Sequence, residues 1–275
     1  MKKFIGITGG LFFLAFSFTA CEEINNLEAD AEERLADYFL VTEANALYLY
    51  ALMDEGLRSA ELASEDSVQV DGAWLKRSTN LGPNNYTLDF GKGVTGDEGT
   101  VREGQVVVSG SAAYLEPGSV HYLDFSNYRA DEKTFAGRLS ITYDGNDQFT
   151  VTAQDQIYND EFRMDINQSV RWLAGLSTPN DFADDDISIE GTFSGVDFVN
   201  ADSVDMIVVE PLRLFKGCEY GMVSGVVDAT LDGENIKFES GSLDFIQEDG
   251  CLDLVKITFD DGTETATVTK SFKGF

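Results

Sequence analysis

One histidine, His121, serves a chain of 275 residues. It falls in a run that reads as a strand, with no second histidine to complete a metal site, and a Ser-His-Asp arrangement would have to use it. No nucleophile-elbow motif accompanies it, so a structural or surface role is expected. Basic residues are also few: 19 Lys and Arg stand against 49 Asp and Glu, a formal net charge of −30. That charge repels phosphate backbones and anionic lipid surfaces, which excludes nucleic acid as a partner. It favours solubility and is compatible with divalent cations or a saline habitat. Only four prolines occur, while Phe and Tyr number 20 and 10, a composition that argues against disorder. No nucleotide-binding or cofactor motif is present, and no cofactor is expected.

What is present begins at the N-terminus. Lys2 and Lys3 precede an apolar run over residues 5–18, broken by Gly6, Gly9 and Gly10. The run is shorter than the roughly 20 apolar residues a membrane helix needs, and it fits a secretory leader. Phe18-Thr19-Ala20-Cys21 follows. Ordinary leader cleavage wants a small side chain three residues before the cut. Phe18 is large, and a cysteine follows the cut, as in a bacterial lipobox with Phe in place of Leu. Residues 1–20 are therefore expected to be a lipoprotein signal peptide. Cys21 is expected to carry a diacyl thioether and an N-acyl chain such as palmitate, enough to hold the protein firmly at a membrane. The leader takes two of the 19 basic residues and none of the 49 acidic ones. Glu22 and Glu23 resemble the acidic residues behind the lipid cysteine of surface-exported lipoproteins, or simply begin a solvated tether. An outer-membrane location is expected, with periplasmic or cell-surface orientation left open.

Residues 21–66 read as a tether and a helix. Leu27, Ala31, Leu35, Tyr38 and Phe39 recur at spacings of three and four between acidic residues. From Ala44 to Met53 nearly every residue is apolar or aromatic, so this stretch should be buried on more than one side. One helix over residues 27–63 is expected, or two with a break near Thr42–Asn45, and Gly56 reads as a further break. Residues 67–275 read as a β domain, with two sheet units allowed if divided near 176–186. Short Val-, Ile-, Phe- and Tyr-rich runs alternate with Gly, Asp and Asn. Strands are expected at 86–90, 105–113, 119–128, 138–143, 148–153, 162–173, 187–193, 206–214, 220–231, 236–245, 252–259 and 264–272. Residues 91–104 read as a long glycine-rich connection. Asp144-Gly145-Asn146-Asp147 is a strong hairpin signal.

The fold class is thus mainly β: an antiparallel meander forming a sandwich or an open curved barrel, with an N-terminal helix packed on it. In such a meander Cys218 and Cys251 fall in turns at one end of the sheet, close enough to bridge. Their disulfide would close a loop of about 34 residues, worth roughly 3–4 kcal/mol in the chain-entropy model. The alternative is two free thiols. Thr87-Leu88-Asp89-Phe90 and Ser242-Leu243-Asp244-Phe245 form a weak internal echo, too short to define a repeat.

Leu88-Asp89-Phe90-Gly91, Gly93, Thr95-Gly96, Gly99, Arg102, Gly104, Val106-Val107-Val108 and Gly110 resemble a recurring segment of an uncharacterised outer-membrane lipoprotein family of Bacteroidota-type bacteria. Pro117-Gly118 and Asn127-Tyr128 continue it. Gly217-Cys218, Val223-Ser224-Gly225, Asp244-Phe245 and Gly250-Cys251 resemble a second block of that family. Such lipoproteins often carry a cysteine where Val94 stands here, so no role of that thiol transfers. The resemblance implies location and fold and carries no activity.

Candidate sites are few. Asp181, Asp184, Asp185 and Asp186, with Asn180, could offer oxygen ligands to Ca²⁺, but without EF-hand spacing; a solvated acidic loop is the plainer reading. Asp97 and Glu98 are weaker still. Trp74, Trp172, Tyr114, Tyr122 and Tyr128 could form a sugar-stacking platform or pack in the core. A pair of glycosidase carboxylates cannot be picked out of 49 acids. A non-enzymatic cell-envelope lipoprotein with a binding or structural role is expected, its partners the membrane through the anchor and a glycan, lipid or envelope protein. The alternatives are an apolar-ligand carrier, with the 44–53 segment lining a cavity between helix and sheet, and a surface glycan-binding or glycan-hydrolysing protein.

Overall fold

The computed structural model describes residues 30–78, 82–96, 99–178, 184–215, 222–246 and 254–272. Cys21, Cys218, Cys251, Asp97, Glu98, Asn180 and Asp181 lie outside the described residues.

A single long helix, α1 (Asp30–Arg58), opens the fold, and a short one, α2 (Ala60–Glu65), follows. Asp30, Glu32 and Glu33 occupy the first turn of α1 and Arg58 the last, the charge order that the helix dipole favours. Ser59 separates the two helices and caps α2, its Oγ accepting from the Glu61 N–H at 3.1 Å.

Fourteen strands follow: β1 (Ser67–Val70), β2 (Ala73–Arg77), β3 (Asn85–Thr95), β4 (Val101–Gly110), β5 (Val120–Ala130), β6 (Lys133–Gly145), β7 (Gln148–Tyr158), β8 (Phe162–Ala174), β9 (Asp186–Asp197), β10 (Ser203–Phe215), β11 (Met222–Asp232), β12 (Ser240–Phe245), β13 (Leu254–Asp260) and β14 (Thr265–Ser271). Each pairs antiparallel with its sequence neighbours, in one sheet ordered β1 to β14. Pairing passes directly from β8 to β9 across the acidic 175–185 connection. The sheet is a meander that does not close, because β1 and β14 pair with each other nowhere.

The sheet curves around α1. Every residue from Asn45 to Tyr50 is buried, and six consecutive helical residues point in all directions. Their partners are spread accordingly. Tyr48 donates to Asp71 in the β1–β2 turn at 2.8 Å and lies under Arg102 of β4. Tyr50 accepts from Trp172 of β8 and meets Phe149 of β7. Phe39 packs edge-on against Phe193 of β9. Lys270 of β14 bonds Glu33 and Asp37 of α1, which ties the open edge to the helix.

A line of bulges crosses the sheet. Register shifts fall at Asp89/Gly91 between β3 and β4, Glu103/Gln105 between β4 and β5, Asp124/Arg129 between β5 and β6, Ala136/Arg138 between β6 and β7, and Ala153/Gln156 between β7 and β8. Bulges on neighbouring strands bend a sheet along a crease. Gly104 shows why the crease needs glycine. Its φ is +87°, and a Cβ there would meet the carbonyl oxygen of Asn127 on β5.

Several sequence expectations change. The helix does not break near Thr42–Asn45. Thr42 turns its hydroxyl back to the Tyr38 carbonyl at 2.7 Å, and the other polar residues there find partners on the sheet. Gly56 lies inside α1 rather than at its end, because a Cβ would run into the Leu75 side chain of β2. Residues 91–104 are mostly strand: Gly91, Gly93 and Gly104 sit at the register shifts of β3 and β4, while Gly96 and Gly99 do lie in the turn between them. The strand expected from Ile236 starts only at Ser240. The N–H groups of Lys237 and Phe238 instead bond the buried Glu32 carboxylate at 2.5 and 2.7 Å, which takes them out of the ladder. The strands β1 and β2 were not anticipated.

Gly56→Ala is a direct check on the helix–sheet approach. Helix propensity alone would stabilise by about 1 kcal/mol, whereas overpacking at Leu75 costs roughly 1–3 kcal/mol. Chemical denaturation is expected to show net destabilisation, partly relieved by adding Leu75→Val. A Gly56→Ala protein as stable as its parent would refute the close contact.

Candidate ligand-binding cleft

Past the crease, the ends of β4 to β7 turn against the middle of α1 and leave a cleft of about 380 Å³. Leu40, Val41, Ala44 and Asn45 line it from the helix. Arg102, Ala130, Lys133, Phe135 and Tyr158 line it from β4, β5, β6 and β7, and Thr100, Asp131 and Phe272 complete the rim. All the strand residues lie on one side of the bulge line, so the crease forms this wall. Phe135 and Tyr158 pack at 5.2 Å, and Tyr128 and Phe135 at 5.8 Å. The walls are therefore mostly apolar and held rigid by ring contacts.

Polar residues also line it: Asn45, Thr100, Arg102, Asp131 and Lys133. The Arg102 side chain belongs to a residue only 3% exposed, and its guanidinium carbon sits 3.3 Å over the Tyr48 ring, a desolvated cation–π contact. Asn45 is also 3% exposed; its Oδ1 accepts from the Tyr128 hydroxyl at 2.7 Å, and its Nδ2 has no hydrogen-bond partner among the described residues. Lys133 stands exposed at the mouth. Asp131, opposite, accepts the Val101 N–H on Oδ1 at 2.8 Å.

The 44–53 segment contributes little to this cleft. Ala44 and Asn45 border it, while Ala46 to Tyr50, Leu52 and Met53 are buried in the core. The expectation that its aromatics would line a cavity is corrected: they fill the space.

The singled-out residues separate. His121 is buried on β5, edge-on to Tyr114 at 5.4 Å, and burial pushes its pKa down to about 4. It is a neutral core ring, seated where Gly110 leaves room. Trp74 and Tyr122 face solvent, 42% and 37% exposed, whereas Trp172, Tyr114 and Tyr128 point inward. The inward three serve α1: Trp172 bonds Tyr50 at 3.0 Å, Tyr114 bonds Asp54 at 2.8 Å, and Tyr128 bonds Asn45. No common platform forms. Asp184 accepts from Thr178, Asp185 pairs with Arg58 at 2.8 Å, and Asp186 accepts from Arg213 Nε and Nη2. Among the described residues no group of three or more His, Cys, Asp or Glu is placed to hold a metal.

Near the C-terminal end of α1, Arg58 is clamped between Asp54 at 2.7 Å and Asp185 at 2.8 Å, over the Trp172 ring at 4.6 Å. Burial alone would lower its pKa, but the two carboxylates more than offset that and hold it above its ordinary value. Removing one partner of such a buried group strands a charge at a cost of about 3–5 kcal/mol, so this cluster fixes the helix. A larger trough of about 820 Å³ lies across the outer face of β7 to β11, lined by Thr152, Asn167, Thr192, Asp205 and Asp228 among others. It is open to solvent, and its lining mixes these polar groups with Ile166, Phe193, Met206 and Ile207.

Sequence reading missed that Arg102 and Asn45 border one cleft. Arg102 stood out only within the glycine-bearing segment, and Asn45 only as a polar residue inside an apolar helical run. No family model, curated protein or solved structure matches this chain.

One buried acid of α1 makes stability depend on pH. Glu43 accepts from Gln168 Nε2 at 2.6 Å, while Glu43 Oε2 and Gln168 Oε1 have no partner among the described residues. Burial pushes the Glu43 carboxyl from 4.5 up to about 7, with the Gln168 bond pulling the other way. A proton on the acid supplies the donor those two oxygens lack. The folded state therefore holds a proton that the unfolded chain releases above about 4.5, and stability is lost as pH rises toward about 7. The slope is at most about 1.4 kcal/mol per pH unit. Glu43→Gln is expected to flatten this loss; denaturant titrations of both proteins between pH 5 and 8 measure the difference. A difference that does not vary with pH would show that Glu43 titrates elsewhere.

Proposed function

We propose that this chain is a non-enzymatic binding lipoprotein of the cell envelope, anchored to the outer membrane through Cys21, which receives a small, largely apolar ligand in the cleft between α1 and β4–β7. The anchor rests on the basic start, the short apolar run and the Phe18–Cys21 lipobox. The binding role rests on the cleft. Its volume of about 380 Å³ lies within the range of small-molecule sites, which are apolar with a few convergent polar groups. This is the carrier reading of the sequence, relocated from the aromatic 44–53 face to the creased strand ends. The family resemblance to Bacteroidota-type lipoproteins agrees with the location and adds no activity.

Two measurements test it. Cys21→Ala should move the protein from the membrane fraction to the soluble fraction; retention in the outer membrane would refute the anchor. Val41, 41% exposed at the cleft rim, offers a site to block the mouth without touching the core. Native mass spectrometry and solvent extraction of the purified protein should find a co-purifying amphiphile that Val41→Trp abolishes. Absence of any such ligand, together with no thermal stabilisation by amphiphiles, would leave a purely structural or protein-partner role.

A further inference from the structure

Val199 is the most exposed large apolar side chain among the described residues, at 69%, and its neighbour Phe198 is 49% exposed. Both stand at the tip of the β9–β10 turn, which holds them outward. Asp197 Oδ1 accepts the Val199 N–H at 2.7 Å, and the Asp197 carbonyl accepts the Ala201 N–H at 2.8 Å. The Phe198 N–H donates to the Glu161 carbonyl of the β7–β8 turn at 2.7 Å. The acids at the base of the tip, Asp197 and Asp202, are buried and taken by Arg34 at 2.9 and 3.1 Å. Arg34 lies about one turn into α1, so the tip sits beside the N-terminal end of the helix. In a meander alternate connections share an end, so the β1–β2 and β3–β4 turns lie there too, with exposed Trp74 and Val101 beside them. At the opposite end Leu115, Tyr122, Leu173 and Leu254 stand exposed singly.

Chain length decides what covers this end. Nine residues lead from Cys21 to Asp30, at most about 32 Å of extended chain. The 29 residues of α1 run about 44 Å, so a lipid on Cys21 cannot reach the far end of the helix. On the Cys21 anchor proposed above, we infer that Phe198 and Val199 dip into the surface of the membrane that holds the anchor, with the N-terminal end of α1 facing the bilayer. The lipid they meet is zwitterionic, because a chain of net charge −30 is repelled by an anionic surface. Covering the exposed parts of two side chains gives less than the roughly 1.5–3 kcal/mol each of full burial. That is too little to hold a free protein, but beside an anchor the contact is intramolecular and needs no more. Thr100 and Asp131, on the rim of the cleft, belong to connections at the same end. The rim of the cleft therefore turns toward the bilayer, a source of apolar ligand.

The test uses the full chain purified from a lipidating bacterium, its acyl mass measured, and reconstituted in vesicles of phosphatidylcholine with brominated acyl chains. Trp74→Phe removes the exposed native indole, and Trp172 is buried. In that background the indole introduced by Phe198→Trp should be quenched at least twofold relative to unbrominated vesicles, since an indole settles at the membrane interface. Adding Val199→Asp should reverse most of the quenching. The indole introduced by Leu115→Trp, at the opposite end, should not be quenched. All these positions are exposed, so the substitutions spare the core. An acylated protein in which Phe198→Trp is unquenched, or quenched no more than Leu115→Trp, would overturn the inference and keep the anchor. Quenching that Val199→Asp leaves unchanged would overturn it too. A protein without acyl mass would overturn the anchor reading and this inference with it.

Discussion

The structure depends on one constraint: a helix buried on every side over Asn45–Tyr50 carries polar side chains inward that the sheet must answer. Helix α1 carries Glu32, Thr42, Glu43, Asn45, Asp54 and Arg58 into the interior. Each is met locally or by a different part of the chain: Glu32 by the segment before β12, Glu43 by β8, Asn45 by β5, Asp54 by Tyr114, Arg58 by Asp185. Buried polar groups are costly when unpaired, so these contacts fix the rotation and depth of α1 along the sheet. Apolar packing supplies the drive, at about 1.5–3 kcal/mol per fully buried large side chain, but Leu47 and Leu49 could pack in several registers. The polar contacts select one.

The same constraint explains why the sheet stays open. Lys270 of the last strand reaches Glu33 and Asp37 on α1 rather than a neighbouring strand. The helix stands in for the missing pairing between β1 and β14. An edge strand is a liability unless it is short, charged or covered. Here β1 has four residues and β14 seven, with Lys270 on the latter.

The mainly β class was legible because turn chemistry punctuates the sequence: Asp144-Gly145-Asn146-Asp147 does join β6 to β7. The helix was legible from its spacing. The crease was not, because a glycine at a bulge and a glycine at a turn look alike in one dimension. Gly104 differs only in facing Asn127 of another strand, a fact of register. The cleft was hidden for the same reason. Arg102 lies far along the chain from Asn45, and only the bulge line brings the strand ends that carry Arg102 and Phe135 against the helix. Polar residues within the apolar helix did carry a signal, that of a buried group requiring a partner, but not the partner's identity.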